Sequence, residues 1–490
     1  MLFNTFLFVF AFLPLALLGY FLLSKFSLRL SIVFLLLASI GFYIYWNINF
    51  LPLLLGSIVV NYLIGQWISR EKEAKNDRKA KIALITGLVF NLSLLSFFKY
   101  FNFFAQSLAW VVGADYTPLG ITLPIGISFF TFTQIAYLVD CHVAKIREYK
   151  AENYGLFVTY FPHLIAGPIL HHKDMMPQFD RAESHIFSRG RLVVGTLFFI
   201  IGLFKKVILA DGVAQFVGPV FDLNYANLTV LEAWCGSLAY TFQLYFDFSA
   251  YSDMAYGLSY MFGIILPINF NSPYKARSII DFWRRWHITL STFLRDYLYI
   301  PLGGNRLGAT RRHINLMTTM LLGGLWHGAS WTFVIWGALH GIYLIINHAI
   351  RHLLGERQNI TITSLGWLLT FVAVVVSWVF FRATSIDIAL NILHAMTMGT
   401  FNGSSSDSLL GINRIMDIDE CAVWIAACAA IAFFVPNAYI MLGKGILPSY
   451  EERLNGGIGG VVLGFALVIT FILLAISETR GVSEFLYFNF

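Results

Sequence analysis

An apolar run from 313 to 350 follows directly on the most basic stretch of the chain, and it is too long to be one straight membrane helix. Between Asn271 and His313 lie eight basic residues, Lys275, Arg277, Arg284, Arg285, Arg295, Arg306, Arg311 and Arg312, opposed only by Asp281 and Asp296. The excess equals the formal net charge of the whole protein, +6. As a single helix the apolar run would be about 57 Å long, nearly twice the hydrocarbon thickness of about 30 Å. It has to bend or break, and Gly323-Gly324 through Gly328 is where glycines weaken it. The first limb is then too short to span, and the second, from Trp331, is long enough. His327 sits at the junction between Trp326 and Trp331, where irregular backbone is tolerated at depth only if protein or a water-filled cavity surrounds it.

The basic stretch has a helical period over 281–298. Phe282, Trp283, Trp286, Leu290, Phe293, Leu294, Tyr297 and Leu298 gather on one side. Asp281, Arg284, Arg285, Ser291, Thr292, Arg295 and Asp296 gather on the other, with only Ile288 out of place. Ser278 and Asp281 have capping-box spacing, and Pro301 with Gly303-Gly304 supplies a stop. The pattern predicts an interfacial amphipathic helix, with aromatic residues in the acyl boundary and arginines toward water. His287 lies at the edge of the apolar face and is placed to point into the protein. The arginines read either as anchors for anionic lipid or as a docking surface for an anionic, phosphate-bearing acyl carrier, since the guanidinium fork matches phosphate. Charge pattern alone leaves both open.

His163, His327, His340, His348 and His394 lie in or at the ends of apolar segments. A lone histidine in such a segment is more often a satisfied core residue than a catalyst, and His163, His340 and His394 are read that way. His348, close to Arg351 and His352, reads as an interfacial helix end. For His327 the break and the basic approach favour a functional role.

The motifs NFNSPYKARSIIDFWRRWHITLSTFLRDYLYIPLGGNR and LLGGLWHGASWTFVIWGALHG resemble those of the membrane-bound O-acyltransferase family, nearest its bacterial branch that O-acetylates alginate and, further off, the branch that D-alanylates teichoic acid. The resemblance extends to LPIGISFFTFTQIAYLVD, FPHLIAGPILH, YFDFSAYSDMA and the closing FLYFNF. It implies that His327 is the catalytic histidine and that His287 is the second histidine of the family's pattern. It further implies that an acyl group, acetyl above all, enters from a cytosolic thioester such as acetyl-CoA. The acyl group then leaves toward an extracytoplasmic polysaccharide such as alginate or cellulose, directly or through a periplasmic partner protein. No bound cofactor is expected.

Of the 490 residues, 58% are hydrophobic and 12% charged, as expected of a polytopic membrane protein; the resemblance implies that the membrane is the bacterial inner one. The expected fold is all-α, one domain over 1–490 with about ten to twelve spanning or re-entrant helices. Spans are expected at 1–23 (a retained helix, with no basic n-region), 30–46, 51–68, 82–104, 121–139, 154–170, 191–210, 229–262, 364–381, 420–441 and 459–476, besides the broken run. The cationic stretch from Ser69 to Lys81 belongs in the cytoplasm by the positive-inside rule, which puts the N-terminus outside. The loop 399–420 is read as a surface loop.

Asp247 and Asp253 lie inside the span 229–262, and carboxylates at depth face a cavity or a partner. A structural pairing with a basic residue and a place at the active site are both open for them. Trp326 and Trp331, with Trp336, are expected to wall a dry site, and Arg284, Arg285 and Arg295 to bind the donor. Cys141, Cys235, Cys421 and Cys428 have no metal-ligand spacing, so no metal site is expected. There is no Walker loop, dinucleotide fingerprint or G-x-S-x-G elbow. The positive charge is accounted for by topology and anionic lipid rather than nucleic acid. A secondary transporter would also carry ionisable groups in broken helices, but it should show inverted repeats, and none is visible.

Overall fold

The computed structural model describes residues 1–143, 148, 150–222, 228–354, 360–400, 415–442 and 447–489. Among them the regular structure is helical, without a strand, so the protein is an all-α polytopic membrane protein. Among the described residues, six helices are long and apolar enough to cross a membrane: Ile48–Glu73, Asp77–Val112, Arg189–Ala214, Trp331–Leu353, Thr361–Arg382 and Gly457–Arg480. Phe8–Ser24, Leu28–Ile44 and Ile386–Met398 are apolar but shorter, and the sequence pattern did not announce the last of these. Most of the loop at 399–420, from 401 to 414, lies outside the described residues.

The stretch 154–170, expected to span, does not. Helix Ala151–Thr159 stops there, and 160–170 continue as buried turns. Pro162 and the Gly167-Pro168 pair withhold backbone donors and favour non-helical backbone, which ends the helix. His163 in this segment is a satisfied core histidine, its Nε2 2.9 Å from the carbonyl of Phe157. Burial pushes its pKa down to about 4.

The chain sorts into two compact units. The first comprises Met1–Leu203, Tyr251–Ile268 and Leu442–Asn489. Leu13–Ser24 pairs with Leu28–Ile44, and Leu51–Glu73 with Asp77–Leu95, with Ile127–Val143 packed against both of the latter. Buried Asn61 and Asn91 exchange amide hydrogen bonds of 3.2 and 2.6 Å. Such pairs hold helices together in lipid, where the hydrophobic effect between them is weak.

The second unit comprises Phe204–Ala250 and Asn269–Met441. At its centre is a helical hairpin, Gly308–His327 and Trp331–Leu354. The apolar run is therefore broken as its length requires, but at Gly328–Ser330. The helix passes through Gly323-Gly324 intact, because there the glycines serve packing. A Cβ on Gly324 would meet the Phe333 carbonyl oxygen and, at 3.1 Å, Gly337 Cα, and one on Gly337 would meet the Met320 carbonyl. The two limbs thus touch backbone to backbone. Helix Ile360–Arg382 packs beside the second limb.

Candidate active site

The residues 269–300 do not form the single helix expected over 281–298. Helix Ile279–Trp283 is followed by a break, then helix Ile288–Leu294 and a π turn, Arg295–Tyr299. The expected cap is present, Ser278 Oγ accepting the Asp281 N–H at 3.2 Å. The break centres on His287, whose φ of +42° and ψ of +55° are left-handed. For a residue with a Cβ that backbone costs roughly 1–3 kcal/mol and has to be imposed by its surroundings. Here the returning chain imposes it: Ile288 N–H donates to the Asn269 carbonyl at 2.9 Å, and Asn271 N–H to the Arg285 carbonyl at 2.9 Å. The break also redirects the apolar face. Phe282 and Trp286, assigned above to the acyl boundary, are buried in protein, stacked at 5.6 Å, with Trp286 4.9 Å from Trp378.

His287 is fully buried, at 0% exposure. Its Nδ1 lies 3.1 Å from Asn269 Oδ1, which also accepts the Thr289 N–H at 3.3 Å and hydroxyl at 2.9 Å. The backbone N–H of Thr289 can only donate, so the atom it meets is the amide oxygen. His287 therefore carries its proton on Nδ1 and presents a lone pair on Nε2. Desolvation lowers its pKa to about 3, so the ring is neutral at physiological pH. Phe248 meets it edge-on at 4.8 Å.

His327 ends the first limb of the hairpin, 4% exposed. Its ring lies 5.0 Å from Trp326, 5.0 Å from Trp336 and 5.2 Å from Phe381, each edge-to-face. Trp326 is also 6.3 Å from His287, so one indole stands against both histidines. His340, one turn beyond Trp336 on the second limb, is 4.7 Å from it and fully buried. Trp283 Nε1–H donates to His340 Nδ1 at 3.3 Å. The arrangement can lower the dielectric around His327, keep water out, and offer neutral imidazoles with defined tautomers.

The remaining sequence-derived residues are dispersed. Trp331 is 53% exposed at the start of the second limb. Asp247, 2% exposed, pairs with Lys206 at 2.9 Å, and the same ammonium meets Asp211 at 2.9 Å. The structural pairing left open for it is thus what forms. Asp253 belongs to the first unit. Arg285 pairs with Asp281 at 2.8 Å, and Arg295 forks onto Asp296 at 2.7 and 3.1 Å. Arg284 is exposed, with no ion pair among the described residues.

Residues 85–390, which hold every residue of this site, match the family described as MBOAT, membrane-bound O-acyltransferase family. The chain belongs to that family. It is 46% identical over 423 residues to the peptidoglycan O-acetyltransferase of Helicobacter pylori, covering 81% of this chain and 80% of that one. It is 38% identical over 505 residues to the probable alginate O-acetylase AlgI of Pseudomonas putida, covering 100% of both. A teichoic acid D-alanyltransferase of Streptococcus thermophilus is 28% identical over 239 residues, 46% of this chain and 57% of that one.

As a membrane-bound O-acyltransferase the protein is an acyl-transferring enzyme embedded by multiple helices, and the sequence reading reached that family. It did not single out two residues that the structure places beside the rings of His287 and Trp336. Asn269, which sets the tautomer of His287, lies 18 residues away along the chain. The local sign was Ile288, out of phase with the amphipathic pattern because the helix restarts there. His340 was read as a core histidine, and it is fully buried with its Nδ1 accepting the Trp283 N–H; its spacing of four from Trp336 places both on one helix face.

Proposed function

We propose that the protein moves an acetyl group from a cytosolic thioester, acetyl-CoA or another acyl thioester, to the hydroxyl of an extracytoplasmic polysaccharide. The transfer is direct or runs through a periplasmic partner protein. The named relatives act in alginate and peptidoglycan O-acetylation, which supports acetyl as the group and a cell-surface polymer as the acceptor. The observation that carries the chemistry is His327 at the helix break, enclosed by Trp326, Trp336 and Phe381. Neutral imidazole takes the acceptor's hydroxyl proton as the oxygen attacks the thioester carbonyl, then returns that proton to the departing thiolate. An ordinary histidine pKa of about 6.5 suits both steps. His287, neutral with its lone pair on Nε2, is the second histidine of the site. Arg284, exposed and without an ion pair among the described residues, is the strongest donor-phosphate contact of the three arginines weighed.

The orientation proposed is a periplasmic N-terminus in the inner membrane, with the loop at Asn76 and the region of Arg311 cytoplasmic. The deciding experiment reconstitutes the full chain in lipid vesicles and follows transfer from acetyl-CoA. His327→Ala should lower the rate about 10²–10⁴-fold, the usual worth of a general base, while the protein accumulates normally. A wild-type rate in that variant removes the reading. Labelling of a cysteine at Arg311 from outside the cell removes the cytosolic donor route.

A further inference from the structure

His327, Trp336 and His340 stand in a row, with ring centroids 5.0 and 4.7 Å apart. The middle and last rings each carry a polar atom that the packing leaves unsatisfied. Among the described residues, neither Trp336 Nε1 nor His340 Nε2 has a hydrogen-bond partner, and both are buried. Their chemical character is fixed. An indole nitrogen only donates. On His340, the Trp283 N–H occupies Nδ1 as an acceptor at 3.3 Å, so in the neutral ring the proton sits on Nε2. Two neutral N–H donors therefore lie one helical turn apart on one face of the second limb, the first of them on the ring that meets His327. Buried donors are rarely left without an acceptor. An acceptor that enters only during turnover satisfies that rule.

We propose that Trp336 Nε1–H and His340 Nε2–H hold the carbonyl oxygen of the acyl group while it is transferred. This rests on the general-base reading of His327. When the hydroxyl oxygen attacks the thioester carbon, the C=O π pair moves onto the carbonyl oxygen and the hydroxyl proton passes to His327. The two donors bear on the oxygen as its charge grows. The π bond then re-forms, the carbon–sulfur bond breaks, and the thiolate leaves with the proton from His327, giving ester and thiol. Fixed donors in an aromatic, water-poor setting stabilise such an oxyanion without reorganising. Trp283 acts as a positioning residue, because its N–H keeps the His340 proton on the nitrogen the oxyanion needs.

Trp336→Phe and His340→Phe keep a ring and remove one donor each, and His340→Gln returns an N–H. In the full chain in vesicles, with acetyl-CoA as donor and alginate oligosaccharide as acceptor, each Phe variant should lower kcat about 10²–10³-fold, the loss typical of one oxyanion donor. KM for acetyl-CoA should hardly move, and His340→Gln should recover part of the loss. A structural role would instead lower the thermal midpoint and leave Gln no better than Phe. The second measurement needs no turnover: the infrared carbonyl band of a bound ketone analogue of acetyl-CoA, carbon-13 labelled. It should lie at lower wavenumber in the wild type than in Trp336→Phe or His340→Phe. Wild-type kcat in both Phe variants, or a band unmoved in every variant, overturns the donor pair even when His327→Ala is inactive. An active His327→Ala overturns the underlying general-base reading instead.

Discussion

Asn269 fixes the tautomer of His287: its amide oxygen takes the Nδ1 proton at 3.1 Å, held in place by two further donors from Thr289. The ring is neutral at physiological pH because burial holds its pKa near 3. Replacing Asn269 with Leu removes the acceptor and lets either nitrogen carry the proton. We expect kcat to fall roughly 10- to 10²-fold, less than the full loss of a general base, with KM little changed. Asn269→Asp keeps an acceptor but adds a negative charge, which favours imidazolium and raises the pKa. On the proposed mechanism the rate requires the neutral ring. Its acid limb, outside the working range in the wild type, should therefore move up in pH in the aspartate variant. A pH–rate profile of the two variants checks both points.

Lys206 lies between Asp247 and Asp211, at 2.9 Å from each, with its ammonium and Asp247 both 2% exposed. A buried pair contributes little net stability when intact, but breaking it leaves an uncompensated charge at a cost of about 3–5 kcal/mol. Lys206→Met should therefore lower the thermal midpoint in detergent sharply. The double variant Lys206→Met, Asp247→Leu should recover much of that loss. Asp247 is adjacent to Phe248, which meets His287 edge-on, so activity should fall with the single variant and return in part with the double. Equal destabilisation in single and double variants would show that the pair is not what the fold depends on.

Where a feature follows from local sequence against a physical limit, it was legible. The hairpin broken beside His327 follows from a run longer than the bilayer, and the Ser278 cap follows from spacing. Features set by distant chain were not. The left-handed backbone at His287 depends on the segment at Asn269 pairing with it, so a wheel drawn through 281–298 carried Phe282 and Trp286 to the lipid face. The partner of Asp247 lies 41 residues back, and that of His340 lies 57 residues back. No periodicity encodes those pairings. The span expected at 154–170 failed because hydropathy outvoted Pro162 and Pro168, whose missing donors end a helix whatever the polarity around them.

The three arginines weighed as donor contacts, Arg284, Arg285 and Arg295, now separate. Arg285 and Arg295 already hold Asp281 and Asp296, while Arg284 has no ion pair among the described residues. Lysine keeps the charge and loses the fork. Arg284→Lys should raise KM for acetyl-CoA several-fold with kcat and membrane insertion unchanged, whereas Arg295→Lys should be near silent. Unchanged kinetics in all three lysine variants would return the stretch to lipid anchoring.

Gly324 ties the fold to the chemistry. A Cβ there would meet the Phe333 carbonyl oxygen and, at 3.1 Å, Gly337 Cα, backbone atoms that no rotamer change can move aside. The limbs of the hairpin would have to separate, and the contact between His327 on one limb and Trp336 on the other, 5.0 Å between ring centroids, would open with them. Displacement of a reacting group by about 1 Å can cost on the order of 10²-fold in rate. Gly324→Ala should therefore impair kcat by about that factor and lower the thermal midpoint, although the residue touches no substrate. Gly464→Ala is the matched control, since a Cβ there meets nothing within 4 Å and the site lies in the other unit. Equal activity in the two variants would mean that the close crossing of the limbs does not set the geometry at His327.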